Sequence, residues 1–129
     1  MPGRWGITFS LPNETVGILR DGSPLKDLMP KLTKAAFIGL NCMDGKVMAE
    51  QLRHLKKIAP KGMRLGAYGN IGYWVPPDDY KVGIKEENSI QNDAMYATCV
   101  KEWLDEGATI VGGCCGTSPD TIRMLHAVA

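Results

Sequence analysis

The stretch "IVGGCCGTSPD", residues 110–120, joins the end of an apolar run to two glycines, a vicinal cysteine pair and a helix-start signal. A continuous apolar run is typical of a strand that is buried on both faces. A serine followed by a proline is typical of a helix N-cap and first turn. The segment therefore predicts a strand, a turn that carries Cys114 and Cys115, and a helix that begins after Ser118.

The same succession of strand and helix recurs along the chain. Apolar runs predict strands over residues 5–11, 35–40, 63–69 and 108–113. Helical spacing of apolar residues predicts helices after Ser23 and Pro24, from Met48 to Ile58, from Asn88 to Glu106, and after Ser118. Four strand–helix units in series predict an α/β protein with right-handed connections and a parallel sheet. The units are either half of a (β/α)8 barrel or a four-stranded open layer.

The amino-acid composition limits the classes of function that we expect for this chain. The 129 residues predict one modest domain, and the 44% apolar share is sufficient for a packed core. A net charge of +1 gives no reason to expect binding to nucleic acid or to a membrane surface. The sequence shows no signal-peptide pattern at its start, which favours a reducing compartment such as the cytoplasm. There, cysteine serves metals or catalysis more often than disulfides.

A third cysteine follows another predicted strand in a similar pattern. The segment "FIGLNC" ends at Cys42, and "IVGGCC" ends at Cys115. When the two are aligned on Gly39 and Gly112, Cys42 matches Cys115. Because parallel strands end at the same edge of a sheet, we expect Cys42 to lie near the Cys114–Cys115 pair. The glycines are expected to let the backbone turn tightly at that edge.

Three converging thiolates suit Zn²⁺, which binds sulfur at about 2.3 Å and is usually four-coordinate. Three protein ligands leave one position open, as in catalytic zinc sites. A site with three thiolates carries a net charge of −1 and is a poor Lewis acid for water. It would instead bind a substrate thiol as a thiolate that stays electron-rich, and the natural reaction is alkyl transfer to that sulfur.

Two other interpretations of the cysteines remain open. Cys114 and Cys115 could be two small buried residues without a ligand role. They could also form a redox pair, in which case Cys42 would have no role. The fourth cysteine, Cys99, shares a helical stripe with Met95 and Trp103 and is predicted to lie in the core.

The motifs together resemble the homocysteine S-methyltransferase family. The resemblance depends on "GLNC" (39–42), on "GGCCGTSP" (112–119) and, more weakly, on "AYGNIG" (67–72). The segments "WGITFSL" and "DGSPL" extend it along essentially the whole chain. It implies a (β/α)8 barrel of which residues 1–129 form the second half, a partial homocysteine-binding domain.

The resemblance also implies roles for individual residues. Cys42, Cys114 and Cys115 would bind zinc, and the zinc would bind the thiol of homocysteine, which accepts a methyl group to become methionine. Asn70 would contact the amino acid or fill the fourth zinc position, and Asn41 would line the pocket. The alternative for both asparagines is a local turn.

The sequence departs from the family in two respects. Gly69 stands where the family typically has a proline, and the first four strand–helix units, which help to hold the amino group of homocysteine, are not represented. A half-barrel exposes two sheet edges, so we expect self-association or a missing N-terminal half. A catalytically inactive zinc-binding remnant is therefore an alternative.

The methyl donor stays open among S-methylmethionine, S-adenosylmethionine, betaine and methylfolate. Cationic donors are attracted to aromatic faces, and the long segment after Asn70 contains Tyr73, Trp74 and Tyr80. Ordinary loop packing is the other interpretation of these aromatic residues.

Overall fold

The structure is a computed structural model that describes residues 3–72, 90 and 92–128. The four strands are β1 (Gly6–Phe9), β2 (Phe37–Asn41), β3 (Arg64–Gly69) and β4 (Ala108–Gly113). Within the described residues the α-helices are α1 (Gly45–Ile58), α2 (Asp93–Asp105) and α3 (Pro119–Leu125). A 3-10 helix (Leu25–Lys31) lies between β1 and β2.

The strands form one parallel sheet in the order β1-β2-β3-β4. This confirms the predicted α/β fold of four parallel strands that alternate with helices. The order follows the chain without a reversal, as in a segment of a (β/α)8 barrel. An open doubly wound sheet instead reverses its strand order at a switch point. The strand order therefore favours the barrel segment over the open layer.

The first helical element differs from the prediction. The sequence predicted an α-helix capped by Ser23, and the structure has the 3-10 helix, which contains Pro30. Proline has no backbone N–H and cannot take part in a regular α-helical hydrogen-bond pattern. The Ser23 hydroxyl donates to the Asp21 carboxylate at 2.6 Å, and Pro24 occupies the N-cap position without a side-chain cap. The capping prediction at Ser23 was therefore wrong.

The other helices agree better with the sequence. Helix α1 buries the predicted stripe of Met48, Leu52 and Leu55. Helix α3 begins at Pro119, and its Ser118 N-cap forms a capping box with Thr121. These contacts confirm the helix-start signal at Ser118.

Helix α2 forms the centre of the core. Its Tyr96 and Trp103 rings pack edge to face with centroids 5.4 Å apart, and the Trp103 indole N–H donates to the Gly45 carbonyl oxygen at 3.1 Å. Cys99 is buried, as predicted. The helix starts at Asp93, later than the predicted Asn88, which lies outside the described residues.

The glycines at the ends of β2 and β4 do not form turns. Gly39 and Gly112 lie inside their strands. A Cβ atom on Gly39 would stand 2.6 Å from the Gly66 carbonyl oxygen, and one on Gly112 would stand 2.6 Å from the Tyr68 ring. The absence of a side chain therefore serves close packing across the sheet, and the expectation of a turn there was wrong.

Candidate metal centre

The register of the sheet brings the cysteines to one edge. Asn41 in β2 lies opposite Tyr68 in β3, and Tyr68 lies opposite Gly112 in β4. Cys42 is therefore the first residue after this row of paired residues along the chain from β2, and Cys114 is the second residue after it along the chain from β4. The Sγ atoms of Cys42, Cys114 and Cys115 all lie within 4.8 Å of one another. The structure thus brings together the three cysteines that the sequence grouped.

The pairing within this thiol cluster differs from the glycine alignment. A disulfide joins Cys42 to Cys114, with Cα atoms 5.6 Å apart, while Cys115 is an exposed free thiol. The alignment had matched Cys42 with Cys115. In the sheet, Gly39 lies level with Gly66 and through it with Ile110, two residues before Gly112. This shift moves Cys42 toward Cys114.

Cys42 has an unusual backbone conformation. Its φ angle is 51°, the one positive φ of a non-glycine residue within the described parts of the chain. Its N–H donates to the Tyr68 carbonyl oxygen at 2.9 Å, and its own carbonyl oxygen accepts a bond from the Ser10 hydroxyl at 3.4 Å. Non-glycine residues in the left-handed region carry a conformational cost and cluster at functional sites. The conformation therefore favours a functional role for Cys42.

The Cys114–Cys115 turn is held by the end of β3. The Cys114 N–H donates to the Gly69 carbonyl oxygen at 2.9 Å. The Cys115 N–H donates to the Asn70 side-chain oxygen at 3.0 Å, and the Cys115 carbonyl oxygen accepts from the Ile71 N–H at 2.8 Å. Asn70 is only 6% exposed. Its visible role is to fix the Cys115 backbone.

The two asparagines that the resemblance assigned to the substrate differ in position. Asn70 follows β3 and is buried next to the thiol cluster. Asn41 is the last residue of β2, directly before Cys42, and is half-buried. Contact of either side chain with an amino-acid substrate stays a prediction.

Tyr96 contributes to the site and was not singled out from the sequence. Its hydroxyl lies 2.5 Å from the Gly112 carbonyl oxygen and 3.2 Å from that of Gly69, and it donates its proton between these two strand ends. Burial raises the pKa of Tyr96 to about 12, which keeps the hydroxyl protonated at neutral pH. Its spacing from Val100 and Trp103 gives a buried helical stripe, but that spacing gives no information on the partner of the hydroxyl.

The donor set fits a zinc ion. Three sulfurs at a Zn–S distance of about 2.3 Å lie about 3.8 Å apart in a tetrahedral site. The Cys115 Sγ atom lies within 4.8 Å of the other two, while the Cys42 and Cys114 sulfurs are bonded to each other. Zinc binds thiolates, so Cys42 and Cys114 can hold an ion only in their reduced form. The disulfide and the metal are therefore alternative states of the same two sulfurs. Cys99 is outside the cluster, and burial raises the pKa of its thiol.

The fold and the sulfur cluster together define a parallel α/β protein with a candidate three-thiolate site at the carboxyl edge of its sheet. A family model described as homocysteine S-methyltransferase matches residues 2–129. The chain belongs to the homocysteine S-methyltransferase family. The family predicted from the sequence is therefore confirmed.

Individual relatives agree with this family. Homocysteine S-methyltransferase 2 of Saccharomyces cerevisiae is 33% identical over 119 residues, which are 86% of this chain and 35% of that protein. The metallated form of the homocysteine methyltransferase MmuM from Escherichia coli matches with a TM-score of 0.67 and 25% identity, over 96% of this chain and 35% of that one. The chain thus spans about a third of these two relatives.

A further relative has a different length. The S. cerevisiae protein YMR321C is 32% identical over 104 residues, which are 80% of this chain and 94% of that protein. This chain therefore matches nearly the whole length of that protein, whose printed name, putative uncharacterized protein, assigns it no function.

The structure also bears on three other expectations from the sequence. The redox interpretation used the Cys114–Cys115 pair and gave Cys42 no role; in the structure Cys114 is bonded to Cys42 and Cys115 is a free thiol, and the redox role itself stays a prediction. Tyr73, Trp74 and Tyr80, considered as contacts for a cationic donor, lie outside the described residues. Within the described ranges, no helix is long and apolar enough to cross a membrane.

Proposed function

We propose that the chain carries the zinc-binding half of a homocysteine S-methyltransferase and takes part in methyl transfer to the thiol of homocysteine, which forms methionine. The observation that carries the proposal is the thiol cluster. Three Sγ atoms lie within 4.8 Å of one another at the carboxyl edge of a parallel sheet, where α/β enzymes bind their substrates. The family match and the names of the relatives supply the reaction.

Cys42, Cys114 and Cys115 would hold the zinc ion as thiolates. When bound, zinc would lower the pKa of a substrate thiol and leave its sulfur electron-rich enough to accept a methyl group. The requirement for reduced Cys42 and Cys114 supports a reducing compartment such as the cytoplasm as the working environment.

The protein's own contribution is to hold three sulfurs at fixed positions. Asn70 fixes the backbone of Cys115, and Tyr96 ties the ends of β3 and β4 together. The Tyr68 carbonyl oxygen anchors the N–H of Cys42. Because all three contacts involve β3 or its end, this strand aligns the two cysteine-bearing segments. Preorganisation of this kind is what keeps a reacting sulfur in line with a methyl group.

Homocysteine also offers an ammonium and a carboxylate group. Asn41 ends β2 at the same edge as the thiol cluster, and an amide there can accept from an ammonium or donate to a carboxylate. We propose Asn41 as a contact for these groups. Asn70 is the second candidate, through the part of its amide that does not bind Cys115.

The methyl donor is a sulfonium, a quaternary ammonium or a methylfolate compound. In each case the bond between the methyl carbon and the donor heteroatom breaks, and its electron pair stays with the donor. A lone pair of the substrate sulfur forms the new bond, and the thiol proton is released to solvent or, with a methylfolate donor, ends on the donor nitrogen. No oxidant or reductant is consumed, so the reaction is compatible with the reduced cysteines.

The metal is tested by the zinc content of the purified chain, refolded with zinc under reducing conditions. We expect about one zinc ion per chain. Cys42→Ser, Cys114→Ser and Cys115→Ser should each lower the zinc content, because an alcohol is a much poorer ligand than a thiolate. Cys99→Ser is the matched control and should keep it. Zinc retained in the Cys42→Ser variant would refute the three-sulfur site.

The reaction is tested by incubation of the zinc-loaded chain with homocysteine and each donor in turn. Formation of methionine from one donor would support the enzyme. A chain that binds one zinc ion with all three cysteines and yet transfers no methyl group would be the inactive remnant instead.

A further inference from the structure

Arg20 carries a positive charge that no carboxylate of the described residues pairs with. Its guanidinium donates from Nε to the Ser10 carbonyl oxygen at 3.1 Å and from Nη2 to the Ser10 hydroxyl oxygen at 2.9 Å. Both acceptors are neutral, and the ion pairs among the described residues do not include Arg20. A guanidinium has five N–H donors, so the side chain, which is exposed, can still bind a ligand with those that Ser10 does not use.

The carboxylates nearest to Arg20 in the sequence leave its charge available. Asp21 directly follows Arg20, but its carboxylate accepts hydrogen bonds from the Ser23 N–H at 2.9 Å and from the Ser23 hydroxyl at 2.6 Å. Glu14, in the same segment, is exposed and belongs to neither of the ion pairs that the described residues form. Arg20 can therefore take an anion that comes from outside the chain.

Arg20 lies close to the thiol cluster because Ser10 links it to Cys42. Ser10 is the first residue after β1, at the carboxyl edge of the sheet. Its hydroxyl accepts from Arg20 and donates to the Cys42 carbonyl oxygen at 3.4 Å. The guanidinium is thus within two hydrogen-bond lengths of the main chain of a proposed zinc ligand. The charge of Arg20 therefore lies beside the candidate metal centre.

The segment that carries Arg20 is fixed by buried contacts. Gln51 of α1 is 2% exposed, and its side-chain oxygen accepts from the Gly17 N–H at 2.9 Å. Its side-chain nitrogen donates to two carbonyl oxygens of the same segment at 2.7 and 3.2 Å. The Leu19 N–H donates to the Ser23 carbonyl oxygen at 2.8 Å and closes a turn around Arg20. A group that is held in place before a ligand arrives loses less conformational freedom on binding.

The proposed substrate has an anionic group that Arg20 can reach. Three carbon atoms separate the sulfur of homocysteine from its carboxylate carbon, which is roughly 5 Å in the extended form. A homocysteine whose sulfur is on the metal can therefore extend past Cys42 toward the guanidinium. The planar fork of arginine matches a carboxylate, with which it forms two parallel charge-assisted hydrogen bonds.

From these observations we propose that Arg20 binds the α-carboxylate of homocysteine while the substrate sulfur occupies the metal centre. The inference rests on the proposed function and adds a determinant of specificity to it. The metal centre selects a thiol, and Arg20 selects a thiol that also carries a carboxylate. Asn41 is then left to contact the ammonium group. A thiol without a carboxylate should gain nothing from Arg20.

The test compares the dissociation constants of two thiols, measured by titration calorimetry on the zinc-loaded chain with a phosphine reductant. Homocysteine carries the carboxylate, and 3-aminopropane-1-thiol lacks it. Arg20→Gln should raise the dissociation constant of homocysteine roughly threefold to fivefold, the scale of an exposed charge pair, and leave that of the aminothiol unchanged. Arg20→Lys keeps the charge but loses the planar fork, so it should have a smaller effect in the same direction. The zinc content of both variants should equal that of the unchanged chain.

Arg4→Gln is the matched control. Arg4 is also exposed and outside the ion pairs of the described residues, but it lies before the amino end of β1, so its loss should change neither constant. An unchanged homocysteine constant in Arg20→Gln would overturn the inference. Equal weakening of both thiols would also overturn it, because Arg20 would then act only through Ser10 on Cys42. If the unchanged zinc-loaded chain binds neither thiol, the proposed function fails, and the inference fails with it.

Discussion

The two strand ends that carry the cysteines are held in different ways. At the end of β2, Cys42 has a left-handed backbone conformation. Its carbonyl oxygen accepts a hydrogen bond from Ser10, which follows β1. Two residues after Cys42, the Asp44 carboxylate accepts a hydrogen bond of 2.9 Å from the Asn13 side chain. At the end of β4, the turn places its positive φ on a glycine, Gly116, and depends on buried side chains.

The difference shows two ways to place a sulfur at a sheet edge. At the β2 end, the residue with the strained backbone is Cys42, the proposed ligand itself. At the β4 end the left-handed conformation is on Gly116 and not on a cysteine. There the Asn70 side chain accepts a hydrogen bond from the Cys115 N–H, and the Tyr96 hydroxyl donates to the Gly112 carbonyl oxygen. The β4 end should therefore respond strongly to substitutions in its supporting residues, and the β2 end should respond weakly.

The largest effect is expected for Gly116→Ala. Gly116 has a φ of 76°, and a Cβ atom there would collide with the Ile71 carbonyl oxygen. Conformational strain and the clash together should lower the free energy of unfolding by about 3 kcal/mol. Chemical denaturation measures this change.

The matched control separates the two causes. Gly62 has a similar φ of 78° but open space where a Cβ would be. Gly62→Ala should lower the free energy of unfolding by only about 1 kcal/mol. Equal effects of the two substitutions would show that the turn after β4 can relax away from Ile71.

The sequence predicts most strand positions, the grouping of the three cysteines and the start of α3. The bounds of β2, β3 and β4 lie within two residues of the prediction, because continuous apolar runs next to glycine have few other buried arrangements. The three site cysteines could be grouped because the ends of parallel strands share an edge. Ser118 followed by Pro119 fixed the start of α3 through purely local chemistry.

Features that depend on distant partners could not be predicted. The register of β2, β3 and β4 places Gly39 level with Ile110, a shift of two residues from the Gly39–Gly112 alignment, and the disulfide joins Cys42 to Cys114 instead of Cys115. No local pattern encodes that shift. The hydrogen bonds of Asn70 and Tyr96 likewise join residues far apart in the sequence.

An intermediate effect is expected for Asn70→Ala. The substitution removes the buried Asn70 amide and leaves the Cys115 N–H without its acceptor in a part-buried turn, which should lower the free energy of unfolding by about 2 kcal/mol. Ser10→Ala removes a long bond of 3.4 Å to the Cys42 carbonyl oxygen and an exposed bond of 2.9 Å from the Arg20 guanidinium, and it should cost less because neither bond is both short and buried.

Hydrogen exchange can separate the two ends in the same Asn70→Ala variant. The Cys115 amide should exchange faster, while the Cys42 amide, which donates to the Tyr68 carbonyl oxygen, should keep its protection. If both amides lose protection equally, the two strand ends open as one unit and the distinction between them fails.

The smallest effect is expected for Tyr96→Phe, which keeps the ring packing and removes the hydroxyl that α2 donates to the Gly69 and Gly112 carbonyl oxygens at the ends of β3 and β4. It should lower the free energy of unfolding at neutral pH by about 1 kcal/mol. Tyr68→Phe in β3 is the matched control and should cost less, because no hydrogen bond of its hydroxyl is seen within the described residues.

The pH dependence gives this last prediction a distinctive signature. Burial raises the pKa of Tyr96 from 10.0 to about 12, so the folded protein holds this proton more tightly than the unfolded chain does. The stabilisation from neutral Tyr96 is therefore fully present below pH 10 and is lost as the pH rises toward 12. The stability difference between the unchanged chain and Tyr96→Phe should shrink over this interval. A difference that stays constant would show that Tyr96 ionises as easily in the folded state as in the unfolded chain, which would contradict the burial of its hydroxyl.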